Sequence, residues 1–191
     1  MAQYYGYIQV PHESYDAWRS ATINNSYDVD YPYGAMFQCW DYCALLWYQY
    51  GRRLVTKSGG GGAINCWTVS REANSKPPFV SIADLTKLKR GDIVVFQYMR
   101  GWVGTAGHIA ILDENLTTLM IARNRIKMLG QNQAGSSRVN VVEYPLSAAV
   151  GFFRNTNWNP ITPPSPTPTV TNKKDSFPWA VAWRHWPNFK R

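Results

Sequence analysis

Hydrophobic and polar residues follow a helical spacing in the first fifty positions and strand-like runs beyond residue 90. In residues 11–22 (PHESYDAWRSAT), Tyr15, Trp18 and Ala21 recur three apart along one side, the spacing of a helix face, with Pro11 tolerated in the first turn. Residues 39–50 (CWDYCALLWYQY) predict the strongest helix, closed by Gly51 at the C-terminal cap position. After the Arg90-Gly91 turn, DIVVFQY over 92–98 predicts an apolar strand and GHIAIL over 107–112 a second. Further strands are expected at 117–122, 126–129 and 139–144 (VNVVEY). Helices first and strands in succession afterwards imply an α+β domain, its N-terminal helices packed on an antiparallel sheet.

The pattern stops after Trp158. From Asn159 to Thr171 the chain reads NPITPPSPTPTVT, a Pro/Thr/Ser tract unable to enter a helix or sheet interior and expected to act as a semi-rigid linker. The division is therefore 1–158 as the folded domain, 159–171 as linker and 172–191 as a short C-terminal appendage. In that appendage Lys173, Lys174, Arg184, Lys190 and Arg191 face the single acid Asp175, giving +4, half of the net charge of +8. Trp179, Trp183 and Trp186 interleave with those cations, a composition suited to contact with an anionic, ring-bearing surface.

Composition narrows the partners. With 191 residues and 45% hydrophobic content the chain can bury a sizeable core, and 15% aromatic residues suit an aromatic-lined groove as well. A charge of +8 calls for an anionic partner. No zinc-finger, RNA-recognition or P-loop spacing occurs, and the Gly-rich run Ser58–Gly62 lacks the trailing Lys-Ser/Thr of a phosphate loop, so nucleic acid is not the expected partner. No secretory signal and no stretch of membrane-spanning length is found, so synthesis as a soluble cytoplasmic product is expected.

Three cysteines, an odd number in a chain that needs no disulfide staples, point to one reactive thiol. Cys39 stands where the irregular YPYGAMFQ segment meets the long helix. There the positive end of the helix dipole is expected to favour the thiolate. Cys43, one turn deeper, and Cys66, beside Trp67, read as small buried apolar residues. A thiol nucleophile needs a base, and His108, opening a strand after Gly107, is the best placed of the three histidines. Asn132, in LGQNQ, can orient the imidazole through its side-chain carbonyl. Gln38 or the backbone N–H of Cys39 can donate to an oxyanion.

The ordered set DVDYPYGAMFQCWDY, GDIVVF with GHIAIL, and LGQN resembles the signatures of the CHAP family of cysteine amidohydrolases and peptidases. HESYDAWRSAT is similar to the helix that precedes them in many phage endolysins, and the match covers about residues 10–155. The resemblance implies a papain-like fold and a peptidoglycan hydrolase, either an N-acetylmuramoyl-L-alanine amidase or an endopeptidase. Cys39, His108 and Asn132 would be nucleophile, base and orienting residue. Peptidoglycan and anionic wall polymers would be the partners of a monomer that reaches the wall after release from the cytoplasm. The family often carries Glu two residues before that Asn, where this chain has Gly130. Many relatives hold Ca²⁺ before the Cys, which here implies Asp28, Asp30 and Asp41 as ligands. The chain departs there by the two residues Met36-Phe37. No organic cofactor is expected. The alternative is a non-catalytic wall-binding or virion structural module on a peptidase-like fold.

Overall fold

A computed structural model describes residues 2–33, 37–56 and 62–159. Gly34 to Met36, most of the Gly-rich run, the linker from Pro160 onward and the basic aromatic tail lie outside the described residues. The elements in chain order are β1 (Gln3–Tyr5), α1 (Tyr15–Thr22), β2 (Ser26–Asp28), α2 (Cys39–Gln49), α3 (Asn65–Thr68), α4 (Arg71–Asn74), β3 (Phe79–Ile82), β4 (Ile93–Phe96), β5 (His108–Leu112), α5 (Thr118–Arg123), β6 (Ile126–Gly130), β7 (Asn140–Tyr144) and β8 (Ala149–Asn155). The fold is α+β. A six-stranded antiparallel sheet runs in the order β3-β8-β4-β5-β6-β7, and β1 pairs with β2 in a separate parallel ribbon.

Alternation along the strands fills both faces of the sheet. Ile93, Val95, Ile109, Ile111 and Leu129 point into a core shared with α1 and α2. Val94, Phe96, Ala110, Leu112 and Met128 point into a second core on the opposite face. The helix α2 is apolar on nearly every side, and Tyr42 to Trp47 are all buried, so it is a core helix rather than an amphipathic one. Trp47 anchors it by stacking on Phe79 of β3 at 3.8 Å between ring centres and meeting Phe153 of β8 edge-on. Burial of each such side chain contributes about 1.5–3 kcal/mol.

Local chemistry sets the helix ends. The Ser14 hydroxyl accepts from the Ala17 amide, so α1 begins at Tyr15 and Pro11 lies outside it. Gly51 follows α2 with φ +64°, the left-handed conformation that closes a helix. The expected strand at 117–122 is instead the helix α5. The Thr117 hydroxyl accepts from the Met120 amide, and Asn124 ends the turn at φ +51°. The strand β8, between β3 and β4, was not expected from the hydrophobic pattern. It is fixed by a buried pair in which Arg154 donates to both carboxylate oxygens of Asp92, at 2.9 and 2.7 Å. Among the described residues no helix is long and apolar enough to cross a membrane.

Candidate active site

Cys39 is the first residue of α2, and β5, which begins at His108, packs against that helix. Gly107 lets the chain make this approach. It sits at φ +73°, and a Cβ there would lie 2.6 Å from the Phe96 carbonyl oxygen, so only glycine allows the turn that launches His108. The Cys39 sulfur lies against the backbone amides of Ile109 and Trp40, one residue from His108 along β5. Cys39, His108, Gln38, Asn132, Gln133, Trp102 and Tyr144 all line one cleft of about 690 Å³. Thus the structure brings the predicted thiol, imidazole, Gln38 and Asn132 to one cleft.

The imidazole's partner differs from the expected one. His108 Nε2 lies 3.1 Å from Oε1 of Gln133, whereas Asn132 donates through Nδ2 to Gln38 Oε1 at 3.2 Å. Gln133 cannot turn its amide over. Its Nε2 donates to the carbonyls of Met128 (3.1 Å) and Asn140 (2.7 Å), so its oxygen must face the ring. An amide oxygen only accepts, so Nε2 of His108 carries the proton and Nδ1 keeps the lone pair. The ring is held flat by Tyr144, stacked at 4.9 Å with 18° between planes. Asn132 adopts φ +55°, a left-handed turn position that breaks strand alternation after β6 and puts its side chain on the cleft rim.

Gly130 also has a physical reason. A Cβ at this position would sit 2.9 Å from Gln133 Oε1 and 2.9 Å from the Ala110 methyl, displacing the group that touches His108. A side chain of any kind, not only a carboxylate, would therefore force Gln133 or Ala110 to shift. Two residues before Gln133, Gln131 is a clamp. Its oxygen accepts from the Tyr27 amide at 2.7 Å, and its nitrogen donates to the carbonyls of Tyr27 at 2.6 Å and Gln38 at 3.2 Å.

Burial governs the charge state of the pair, against the expectation of a thiolate at the helix end. Cys39 is 8% exposed and His108 6%. Burial pushes the thiol up to about 11, although the Ile109 and Trp40 amides pull the other way. Burial likewise holds the imidazole down to about 4, opposed by the Gln133 hydrogen bond. Both groups rest neutral, so the imidazole is in the form that can accept a proton. Cys43 and Cys66 are free, buried thiols within the core.

Beside the cleft, Asp28, Asp30 and Asp41 each place one carboxylate oxygen within 4.8 Å of the others. The Asp41 carboxylate accepts from the Val29 amide at 3.2 Å and the Gln38 amide at 2.6 Å, tying β2 to the start of α2. Among the described residues, both carboxylate oxygens of Asp28 and one of Asp30 are buried without a hydrogen-bond partner. Burial pushes Asp41 up to about 7, and neighbouring Asp30 and Asp28 add to the rise. Burial also raises Asp30, with Asp28 adding to it. An all-oxygen set of three converging carboxylates, two of them with oxygens that meet no donor among the described residues, fits a hard divalent cation.

Sequence reasoning missed Gln133 and the rim residue Trp102. The signal for the first was the amide run Gln131-Asn132-Gln133, in which Asn is the residue most at ease in a left-handed turn. No protein-family model matches the chain. Over 140 residues it is 30% identical to the D-alanyl-L-alanine endopeptidase of Streptococcus phage B30, a match that covers 71% of this chain but only 28% of that protein. The crystal structure of the endolysin LysIME-EF1 superposes with a TM-score of 0.54 at 18% identity, covering 80% of this chain and 67% of the endolysin. The crystal structure of Ly7917 gives 0.52 at 15% identity, covering 77% and 63%. The chain thus shares its α+β fold with these two solved proteins.

Proposed function

We propose that the protein is a cysteine peptidoglycan hydrolase of the CHAP type. The observation that carries this reading is the convergence of a thiol at a helix start and an imidazole of defined tautomer on one cleft. In the proposed reaction His108 Nδ1 takes the Cys39 proton as the sulfur attacks an amide carbonyl. The oxyanion would be met by the Cys39 backbone N–H and the Gln38 side chain. His108 then returns the proton to the leaving amine, and water hydrolyses the thioester. Gln133 orients the ring in the place first assigned to Asn132.

The name of the phage B30 relative favours endopeptidase over amidase, and the positive net charge suits an anionic wall. The chain spans little more than a quarter of that relative, so its substrate is inferred from the site and not transferred whole. Asp28, Asp30 and Asp41 would hold Ca²⁺, which would supply structural charge balance at the entry to α2 and take no part in bond cleavage. The burial of both reactive groups favours one second reading, a non-catalytic wall-binding module on the same fold.

Replacing Cys39 with Ala tests the proposal. Lysis of purified wall should be lost while the thermal unfolding profile is retained. Undiminished lysis by Cys39→Ala would defeat it.

A further inference from the structure

Trp102, which lines the cleft, carries on its ring a cation unconnected with the proton transfer. Trp102, 45% exposed, lines the cleft together with Cys39 and His108. It projects from a tight turn closed by hydrogen bonds between Met99 and Val103, with Val103 buried in the second core. The backbone that carries the exposed ring is therefore held in place. Above the ring, at 3.9 Å from its centre, lies the Arg125 guanidinium. The Arg125 backbone is fixed too, since its amide donates to Met120 and β6 starts at the next residue.

Arg125 differs from the cations that fold the chain. Arg19, Lys87, Arg90, Lys127 and Arg154 each meet a carboxylate, whereas among the described residues none lies within ion-pair reach of Arg125. A guanidinium stacked on an aromatic face keeps its in-plane N–H fork available, and that fork matches a planar carboxylate. Both halves of the pair are held before any ligand arrives, so little ordering entropy opposes binding.

We propose that the Arg125–Trp102 pair is a substrate subsite, which takes a free carboxylate of the peptide whose amide is placed before Cys39. This rests on the hydrolase reading for its substrate class, but it is tested by binding alone. The probes are a soluble muropeptide with free stem carboxylates and its amidated counterpart, titrated by calorimetry into Cys39→Ala protein. The carboxylate form should bind about tenfold more tightly, the scale of one charge-assisted pair. Arg125→Leu should erase that preference. Arg125→Lys, which keeps charge but loses the stacked fork, should retain part of it.

Equal affinity for the two forms, or an equal loss on both in Arg125→Leu, would overturn the proposal. So would binding of a glycerol-phosphate polymer that depends on Arg125 while both muropeptides bind alike. Failure of the wild-type protein to cleave any muropeptide would count against the hydrolase reading and leave this measurement standing.

Discussion

Replacing Gly130 with Ala adds one methyl group, yet it should act on the chemistry. The new Cβ meets Gln133 Oε1 and the Ala110 methyl, both at 2.9 Å, so Gln133 must move off the imidazole. We expect a fall of about tenfold or more in kcat as His108 loses its fixed tautomer, with a stability loss of about 1–3 kcal/mol from overpacking. Steady-state kinetics on soluble muropeptide and thermal unfolding would measure the two effects. Full activity in Gly130→Ala would show that the Gln133 contact is dispensable. At this scale Cys39 and His108 were legible, because a helix start and a strand start after glycine are local features of the chain. Gln133 was not, because the left-handed turn at Asn132 shifts which amide faces inward by one residue.

At the scale of elements, the junction of β2 with α2 concentrates three carboxylates around one point. Asp41 ties the two elements through backbone amides, while oxygens of Asp28 and Asp30 meet no hydrogen-bond donor among the described residues. Saturating Ca²⁺, at about a hundredfold its dissociation constant, should stabilise the domain by about 2.7 kcal/mol. For a domain of this size that raises Tm by roughly 5–10 °C. Calorimetry of the full chain with Ca²⁺ and with chelator measures it, and Asp28→Asn should abolish the difference. An identical Tm under both conditions would exclude the site. Sequence pattern served the elements unevenly. The core helix and strands β4 to β7 were legible from apolar runs, but Thr117-Thr118-Leu119 looked strand-like, and only the Thr117 cap reveals α5. In β8, Gly151 and the charged Arg154 interrupt an apolar run, and partnership with Asp92 across 62 residues cannot be read locally.

Across the whole molecule, the sheet and the core helix bring two neutral, buried groups into one cleft that Trp102, with the Arg125 guanidinium on its ring, also lines. The α+β class followed from the order of helices and strands, whereas the antiparallel order β3-β8-β4-β5-β6-β7 depends on pairings far apart in sequence. In the proposed function this cleft cuts an amide of the bacterial wall through Cys39. Its most direct measurement is mass spectrometry of the fragments released when the protein digests purified peptidoglycan. The wild-type digest should contain fragments with a new amine and a new carboxylate at one kind of amide bond, and the Cys39→Ala digest none. Intact peptide bonds with cleaved glycan strands, or the same fragments from both proteins, would contradict it.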